Sequence, residues 1–415
     1  MTKRPREGVK QRPREATKRR SDEATTHVDS FDCFAIVAPG LETLALAEAL
    51  RLGLPATIAA EGGGLEWRGD LRTVLLANVG LRIVSRVLVR VASFEARSFV
   101  ELERQARRIP WARMVRPDGA ARFRVTCRKS RLYHSDAVAQ RLGDALVRAL
   151  PGARVERARG ESADEDSGGT GDEAQLFVVR LFHDRCTVSA DTSGELLHRR
   201  GWRQATARAP LRETMAAALL AASGWDGSAP LVDPMCGSGT IVIEGALMAR
   251  GVPPGAKRQF AVERWPGVPP TLGAWVRSEL AGRGAVAACP VISGSDRDEG
   301  AIRAAASNAE RAGVREDLTL AVHTVSALEI PPGVRGWVVT NPPYGVRVGE
   351  ADRVRNLWAR LGQVLRERAP GWQVALLSPD AALERQLDIP LREVARTSNG
   401  GIPVRLVVGQ VPPGD

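Results

Sequence analysis

Hydrophobic and polar residues follow two periods along this chain, that of strands and that of amphipathic helices. Between residues 31 and 112, apolar runs of strand length alternate with segments of helical period, and residues 113–195 hold a similar mixture. From about residue 211 the alternation becomes regular, which is typical of a doubly wound parallel sheet. The pattern predicts an α/β fold class, with an α+β region in front of the parallel sheet.

Individual elements can be placed by residue number. In the first region we predict strands at 34–37, 64–67 and 87–92 and helices at 41–52, 71–77 and 99–107. The second region is predicted to hold a strand at 122–127, a helix at 135–150 and a hairpin of 176–182 with 185–190. In the last region we predict strands at 230–233, 290–294, 318–322, 336–340 and 372–378, a helix at 353–368 and an edge strand at 404–411.

The length of 415 residues exceeds what a single hydrophobic core usually serves. We expect a disordered basic tail at 1–30, a first domain at 31–112, a second at 113–195 and a C-terminal domain at 196–415. The stretch 161–173 is acidic and polar without periodicity, so it is predicted to be a mobile loop within the second domain.

The chain is strongly basic. Its formal net charge is +11 and its pI is about 10.2, which favours a nucleic-acid partner. Residues 1–20 hold nine basic and two acidic side chains, so this tail alone contributes +7. The tail either contacts phosphates without reading sequence or is merely solvated, and both interpretations stay open.

Neither a disulfide framework nor a metal site is indicated. The five cysteines are odd in number and lack a Cys-x-x-Cys spacing, and the five histidines are scattered. The basic tail is not followed by an apolar stretch, and no run approaches the length of a membrane span. We therefore expect a cytoplasmic protein with neither a metal nor a membrane partner.

A glycine loop follows the apolar run at 231–232 and leads into a segment of helical period, which predicts a strand, a turn and a helix. Glycines let backbone approach a ligand, and a helix N-terminus offers N–H groups to an anion, so nucleotide-like cofactors bind at such loops. Val242 stands where a dinucleotide fingerprint needs glycine, which weakens a dehydrogenase interpretation. Cys236 is interpreted as a small packing residue. The candidate cofactor-binding residues of the loop are Asp233, Pro234, Met235, Cys236, Gly237, Ser238, Gly239 and Thr240.

Asp296 ends the next predicted strand, where an acidic side chain commonly binds the ribose of a nucleotide cofactor. It lies 63 residues after Asp233, so residues 252–288 are predicted to be an insertion with a helix around 275–280. The alternative is that Asp296 caps or opens the helix predicted at 299–312 and has no ligand.

A tetrad of possible catalytic function follows the apolar run at 337–339. An exocyclic amine of a nucleobase needs acceptors for both N–H groups before its lone pair can attack a methyl donor, and the Asn341 side chain and the Pro342 carbonyl can provide them. An aromatic ring next to these acceptors can stack on a flipped base. A plain Asn-Pro-Pro turn after a strand is the alternative. The candidate catalytic residues are Asn341, Pro342, Pro343 and Tyr344.

A basic cluster on and after the strand predicted at 122–127 combines cations with an aromatic ring. Cations bind phosphates and aromatic rings stack on bases, so the cluster is a candidate RNA contact. It could equally be the solvated face of a strand. The cluster consists of Arg122, Arg124, Arg128, Lys129, Arg131 and Tyr133.

The glycine loop and the tetrad together resemble S-adenosylmethionine-dependent methyltransferases that modify exocyclic nitrogens of RNA. Residues 198–205 and 209–214 look like the entry to the catalytic domain of the THUMP-containing branch, and 123–127 and 130–138 also look like that branch. Residues 34–42 are similar to the start of bacterial guanine-N2 methyltransferases of large-subunit ribosomal RNA. The resemblance covers about residues 31–411 and implies a ferredoxin-like first domain, a THUMP-like RNA-binding second domain and a Rossmann-like methyltransferase domain.

The resemblance also implies roles for residues. The glycine loop would hold the methionine part of S-adenosylmethionine, Asp296 its ribose, and the tetrad Asn341 to Tyr344 the target amine. Relatives commonly carry an Asp near the adenine amino group, where this chain offers only the hydroxyls of Thr324 or Ser326, which are weaker acceptors.

The resulting hypothesis is transfer of a methyl group from S-adenosylmethionine to the N2 amine of a guanine in large-subunit (23S) ribosomal RNA. The choice of guanine N2 rests on the resemblance, because the tetrad alone also fits adenine N6 or cytosine N4. Transfer RNA is the alternative substrate, and a non-catalytic RNA-binding or assembly factor that keeps the fold is the alternative from another class. A nicotinamide oxidoreductase is disfavoured by Val242.

Overall fold

The computed structural model describes residues 1–2, 30–156, 173–204, 211–345 and 351–413. Most of the basic tail, nearly all of the acidic stretch 161–173 and residues 205–210 of the entry motif lie outside these ranges. Within them the chain forms an eight-stranded and a seven-stranded sheet. No helix in the described ranges combines the length and apolar character needed to cross a bilayer.

In the part of the N-terminal half that the structure describes, the eight-stranded sheet is accompanied by four α-helices. Its strands are β1 (Phe31–Ile36), β2 (Thr57–Ile58), β3 (Gly64–Gly69), β4 (Arg86–Glu95), β5 (Ala120–Arg128), β6 (Arg154–Glu156), β7 (Gln175–Phe182) and β8 (Arg185–Asp191). Its helices are α1 (Glu42–Leu52), α2 (Leu71–Gly80), α3 (Phe99–Ala106) and α4 (Ser135–Ala149).

The order of strands in this sheet is β2-β3-β1-β4-β8-β7-β5-β6. Because β4 pairs antiparallel with β8, the strands predicted for the first and second domains belong to one continuous sheet. The predicted hairpin of β7 and β8 is confirmed and turns at His183 and Asp184, whose φ angles of 50° and 62° provide the left-handed turn that a two-residue hairpin favours.

Local sequence explains where the helices of this half lie. In α4 the apolar side chains Val138, Leu142 and Leu146 recur at helical spacing and are buried. The preceding helix α3 begins at Ser98, whose side chain accepts a hydrogen bond from the Glu101 N–H, as an N-cap serine does.

Among the described residues of the C-terminal half, the seven-stranded sheet is accompanied by six α-helices. Its strands are β9 (Leu231–Asp233), β10 (Ile292–Asp296), β11 (Leu318–Val322), β12 (Trp337–Thr340), β13 (Gln373–Ser378), β14 (Leu391–Asn399) and β15 (Ile402–Gln410). Its helices are α5 (Glu213–Ser223), α6 (Thr240–Ala249), α7 (Leu272–Leu280), α8 (Glu299–Ala312), α9 (Ala351–Arg368) and α10 (Ala381–Leu387).

The strand order of the second sheet is β11-β10-β9-β12-β13-β15-β14. The first five strands run parallel, and β15 and β14 are antiparallel additions, so the sheet is mixed. The prediction that residues 404–411 form the edge strand was wrong, since β15 lies between β13 and β14. The apolar run of β15 is typical of a strand covered on both faces. The true edge strand is β14, which carries the exposed charged residues Arg392, Glu393 and Arg396 and therefore lacks the apolar pattern that predicts a strand.

The two halves contact each other through buried charges. Glu244 of α6 is fully buried and accepts hydrogen bonds from Arg82 and Arg200, each at 3.2 Å. Arg82 lies between α2 and β4, and Arg200 belongs to the segment that enters the C-terminal half. This ion-paired group therefore joins three parts of the chain.

A second contact between the halves is made by backbone. Gly40 has a φ of 86°, and a Cβ atom at this position would lie 1.9 Å from the carbonyl oxygen of Arg396 in β14. The position thus requires glycine twice, for its backbone conformation and for the close approach of the strand.

Candidate active site

Asp233 ends β9 at the start of the glycine loop and is almost completely buried. Its Oδ1 accepts a hydrogen bond from the Met235 N–H at 3.1 Å. Burial raises the pKa of the carboxyl from 3.8 to about 7, and the nearby charge of Asp296 adds to the rise, whereas the neighbouring Thr340 side chain and the hydrogen bond from the Met235 N–H lower it. Near neutral pH this carboxyl is therefore partly protonated.

The backbone of the glycine loop is fixed to the neighbouring strand β10. The Cys236 N–H donates to the Ser295 carbonyl at 2.9 Å, and the Gly237 N–H donates to Oδ2 of Asp296 at 3.0 Å. A Cβ at Gly237 would meet open space, whereas one at Gly239 would lie 3.0 Å from the Ala305 Cβ of α8. Gly237 thus faces the space that a ligand can approach, and Gly239 makes room for a helix.

Most of the predicted loop residues support the loop rather than face that space. Pro234, Cys236, Ser238, Gly239 and Thr240 are buried, whereas Met235 and Gly237 are half-buried. Burial raises the pKa of the Cys236 thiol well above its usual value, as suits a packing residue rather than a nucleophile.

Two side chains that sequence reasoning missed brace the loop. Arg203 donates from Nη2 to the Thr240 hydroxyl at 2.8 Å and from Nε to Glu213 at 2.9 Å. Asn308 of α8 donates to the Ser238 carbonyl at 3.2 Å. Arg203 lies in the entry motif at 198–205, which gives that motif a physical role, whereas nothing in the sequence around Asn308 marks it.

Asp296 is the last residue of β10, as predicted. Besides the bond to Gly237, its Oδ1 accepts from the Asp298 N–H at 3.0 Å. The N-cap of α8 is Asp298, whose carboxylate accepts from the Gly300 and Ala301 N–H groups. The capping role considered for Asp296 therefore belongs to Asp298, and each Asp296 oxygen keeps a further lone pair for a ligand hydroxyl.

The two hydroxyls considered after β11 differ in availability. Ser326 Oγ accepts a hydrogen bond from Nε of Arg360 at 2.8 Å. Thr324 is exposed. Of the two, Thr324 is the better placed to accept a hydrogen bond from a ligand.

The tetrad follows β12 directly. The Asn341 Oδ1 accepts a hydrogen bond from the Tyr344 hydroxyl at 2.6 Å, and this hydroxyl oxygen accepts from Nδ2 of Asn399 at 3.0 Å. Burial raises the pKa of Tyr344 to about 12, with the Asn399 hydrogen bond opposing the rise, so the phenol stays protonated and donates. Pro342 is buried and Pro343 is exposed, and the Pro343 carbonyl accepts from the Trp358 indole N–H at 3.2 Å.

Topology brings all these groups to one edge of the sheet. Neighbouring parallel strands β11, β10, β9 and β12 end at the Thr324 segment, Asp296, the glycine loop and Asn341, respectively. The strand order changes direction between β9 and β12, and open α/β sheets bind ligands at such a switch point. Asp233 and Thr340 end the two strands that flank it.

These residues fit S-adenosylmethionine, the cofactor expected from the sequence. The open space at Gly237 lies at the N-terminal end of α6, and the Asp296 carboxylate lies next to it. Backbone N–H groups at a helix N-terminus suit the carboxylate of the methionine part, and a carboxylate at a strand end suits the ribose hydroxyls.

The predicted RNA-contact cluster belongs to the eight-stranded sheet, on β5 and in the segment that follows it. Arg124, Arg128, Lys129 and Arg131 are exposed, as is Tyr133, whose relative exposure is 69%. Arg122 differs because it is ion-paired with Glu156 at 2.6 Å. The described ranges contain no carboxylate paired with the four exposed cations.

Comparison with known proteins shows the family to which this chain belongs. Residues 200–406 match the model of the RMKL-like methyltransferase domain, and residues 32–88 match that of the RlmL ferredoxin-like domain. A Synechocystis sp. protein named as an RNA methyltransferase is 32% identical over 380 residues, which is 90% of this chain and 95% of the relative. The chain belongs to the RMKL-like methyltransferase family. It is therefore a methyltransferase that depends on S-adenosylmethionine.

A longer curated protein and a solved structure are also similar to this chain. The ribosomal RNA large subunit methyltransferase K/L of Syntrophotalea carbinolica is 33% identical over 391 residues, and the match covers 90% of this chain but 53% of the relative. This chain thus spans about half the length of the K/L proteins. The crystal structure of SMU.472, described as a methyltransferase complexed with SAH, superposes with a TM-score of 0.78 at 27% identity and covers 93% of this chain and 99% of its own.

Proposed function

We propose that this family member transfers the methyl group of S-adenosylmethionine to the exocyclic N2 of a guanine in 23S ribosomal RNA. The observation that carries the proposal is the position of Asn341 to Tyr344. This tetrad directly follows β12, the strand adjacent to the one that leads into the glycine loop, at the switch point of the sheet. A target amine bound by the tetrad would lie beside the cofactor loop.

In this reaction the protein has to accept hydrogen bonds from the target amine, and none of its side chains has to act as a nucleophile. S-adenosylmethionine supplies a methyl group that is already electrophilic because it is attached to a sulfonium. The Asn341 Oδ1 accepts one hydrogen bond from Tyr344, and an amide oxygen has a second lone pair for an amine N–H. Together with the Pro342 carbonyl it would orient the amine lone pair and stabilise the positive charge that develops on nitrogen.

The choice of substrate is supported by relatives and by charge. The names of the K/L relatives specify large-subunit ribosomal RNA, and the start of this chain matches the RlmL ferredoxin-like domain. The exposed cations Arg124, Arg128, Lys129 and Arg131 would bind RNA phosphates, and Tyr133 would stack on an unpaired base.

The test of the site is Asn341→Ala. Removing one preorganised polar partner of a transition state lowers turnover by about 10²–10³-fold in well-studied enzymes, and we expect a loss of that order here. Because Asn341 lies outside the glycine loop, S-adenosylmethionine binding measured by calorimetry should stay within about twofold of the unchanged protein. Near-normal turnover of the variant would refute the assignment of Asn341.

The substrate is tested by mass spectrometry of nucleosides from cells with and without the gene. Loss of N2-methylguanosine from large-subunit ribosomal RNA alone would support the proposal. Loss of N2-methylguanosine from transfer RNA alone would mean that transfer RNA is the substrate. Loss of a methylated adenine or cytosine would mean that another base is the target. No change in any methylated nucleoside would contradict RNA methylation altogether.

A further inference from the structure

Asn399 is joined to the catalytic tetrad by a hydrogen bond that no sequence motif signals. It is the last residue of β14, and its Nδ2 donates to the Tyr344 hydroxyl oxygen at 3.0 Å. The same hydroxyl donates to Asn341 Oδ1 at 2.6 Å. Asn399, Tyr344 and Asn341 thus form a chain of two hydrogen bonds that ends on the oxygen proposed to accept the target amine.

The direction of these hydrogen bonds follows from the orientation of the two asparagine amides in the structure. The side-chain nitrogen of Asn399 can only donate, so the phenol oxygen must accept from it, and its single proton is left to point at Asn341. Burial raises the pKa of Tyr344 to about 12, which keeps that proton in place at ordinary pH. An Asn341 oxygen held in this way loses less rotational freedom when it binds an amine.

The β14–β15 hairpin does not need this side chain for its own fold. The backbone of Asn399 is paired with Ile402, and the turn is closed by Gly400 and Gly401, whose φ angles of 58° and 82° suit a two-residue hairpin turn. The contact to Tyr344 crosses 55 residues of sequence and reaches the loop after β12. Its side chain is therefore available for a role in the site.

We propose that Asn399 is a positioning residue for methyl transfer. It orients the Tyr344 hydroxyl, and this hydroxyl holds the Asn341 side-chain oxygen in position to accept a hydrogen bond from the target amine. The inference rests on the proposed function of the tetrad. Asn399 touches neither substrate nor cofactor in this scheme and acts only through Tyr344.

A kinetic double-mutant cycle tests this dependence, with large-subunit ribosomal RNA purified from cells that lack the gene as substrate. Loss of one hydrogen bond in a buried site commonly costs about 5- to 100-fold, and we expect Asn399→Ala to lower kcat by roughly tenfold. The KM for S-adenosylmethionine should stay within about twofold, because the glycine loop is untouched. In a Tyr344→Phe background, Asn399→Ala should have no further effect.

Additive losses in that cycle would overturn the proposal, because a side chain that acts through Tyr344 cannot matter once the hydroxyl is gone. Ser398→Ala is the matched control. Ser398 is the exposed neighbour on the same strand, so this change disturbs the hairpin similarly but leaves the hydrogen bonds intact. It should leave kcat unchanged, and a loss equal to that of Asn399→Ala would mean that only the fold of the hairpin matters.

A second measurement needs no RNA and separates failure of this inference from failure of the proposed substrate. The chain has two tyrosines, so Tyr133→Phe leaves Tyr344 as the single one. In protein labelled with ¹³C at tyrosine Cζ, Asn399→Ala should shift the Tyr344 resonance, whereas Ser398→Ala should not. An unmoved resonance would overturn the inference, even if the RNA were methylated. A shifted resonance without methylation of any RNA would leave the hydrogen-bond chain in place but refute the proposed function on which the inference rests.

Discussion

Asp233 should make the folded protein less stable as the pH rises, contrary to what is usual for a carboxylate. Its pKa is raised to about 7 in the folded chain from 3.8. Between these two values the unfolded chain loses the Asp233 proton while the folded chain retains it. The contribution of Asp233 to the free energy of unfolding is therefore fully present below about pH 4 and is lost as the pH rises toward 7.

The magnitude follows from the pKa difference. Each pH unit between the two values changes the free energy of unfolding by about 1.4 kcal/mol, so the full effect of Asp233 is roughly 4 kcal/mol. Most experiments on an enzyme of this kind are confined to pH 5 to 8, and that window contains roughly 2–3 kcal/mol of the effect. For a domain of about 200 residues this corresponds to a difference in Tm of about 5–10 °C.

The assay compares thermal unfolding of the unchanged protein and of Asp233→Asn, without S-adenosylmethionine, at pH 5, 6, 7 and 8. The asparagine keeps an acceptor for the Met235 N–H but does not titrate. Other buried carboxyls, such as Asp191, also have a raised pKa, but their effects cancel in the difference between the two proteins. The Tm of the variant relative to the unchanged protein should rise from pH 5 to about pH 7 and level off toward pH 8, where the carboxyl is ionised in both states.

A control of opposite sign comes from Asp226, which lies near the surface and whose pKa is lowered by hydrogen bonds from Ser228. Asp226→Asn should remove stability that is present above the ordinary carboxyl pKa, so its difference from the unchanged protein should not grow between pH 5 and 8. If the Tm values of the unchanged protein and of Asp233→Asn stay parallel across this range, burial does not hold the Asp233 proton and the argument is refuted.

Two predictions concern the contacts between the halves. Gly40→Ala and Gly53→Ala place alanine at nearly the same φ, 86° and 89°, but only Gly40 faces a backbone atom. Each should lose about 1–2 kcal/mol for the left-handed conformation, and Gly40→Ala about 1–3 kcal/mol more, as measured by urea unfolding; equal losses would mean that the approach of Arg396 is unimportant. Glu244→Gln should cost about 3–5 kcal/mol because the buried Arg200 and the partly buried Arg82 keep their charges without a carboxylate. A change below about 1 kcal/mol in the same assay would contradict the importance of that ion-paired group.

The parts of the fold that the sequence predicted well are those in which burial imposes a local period. The parallel strands β9, β12 and β13 are mainly apolar because they are buried, and α4 and α9 show a periodic apolar face because one side of each helix is exposed. The edge strand β14 shows neither pattern. Its exposed charges protect an open edge, and that protection removes the apolar signal by which strands are recognised.

The candidate site was predictable to the extent that its residues are adjacent in sequence. The glycine loop and the tetrad are continuous segments, and their placement at neighbouring strand ends follows from the order of a doubly wound sheet. Asn399, Asn308 and Arg203 reach the site from distant segments by single hydrogen bonds. Such contacts depend on three-dimensional register, which a local pattern does not encode.

The pairing of β4 with β8 limits where the N-terminal half can be truncated or divided between genes. The two strands are paired at seven positions, and they come from opposite sides of residue 112. A chain that began at residue 113 would expose the whole edge of β8, and an open strand edge invites pairing with other molecules. Deletion of residues 31–112 should therefore produce aggregation rather than a smaller enzyme. Gene rearrangements that preserve a folded protein are therefore expected to keep residues 31–195 together.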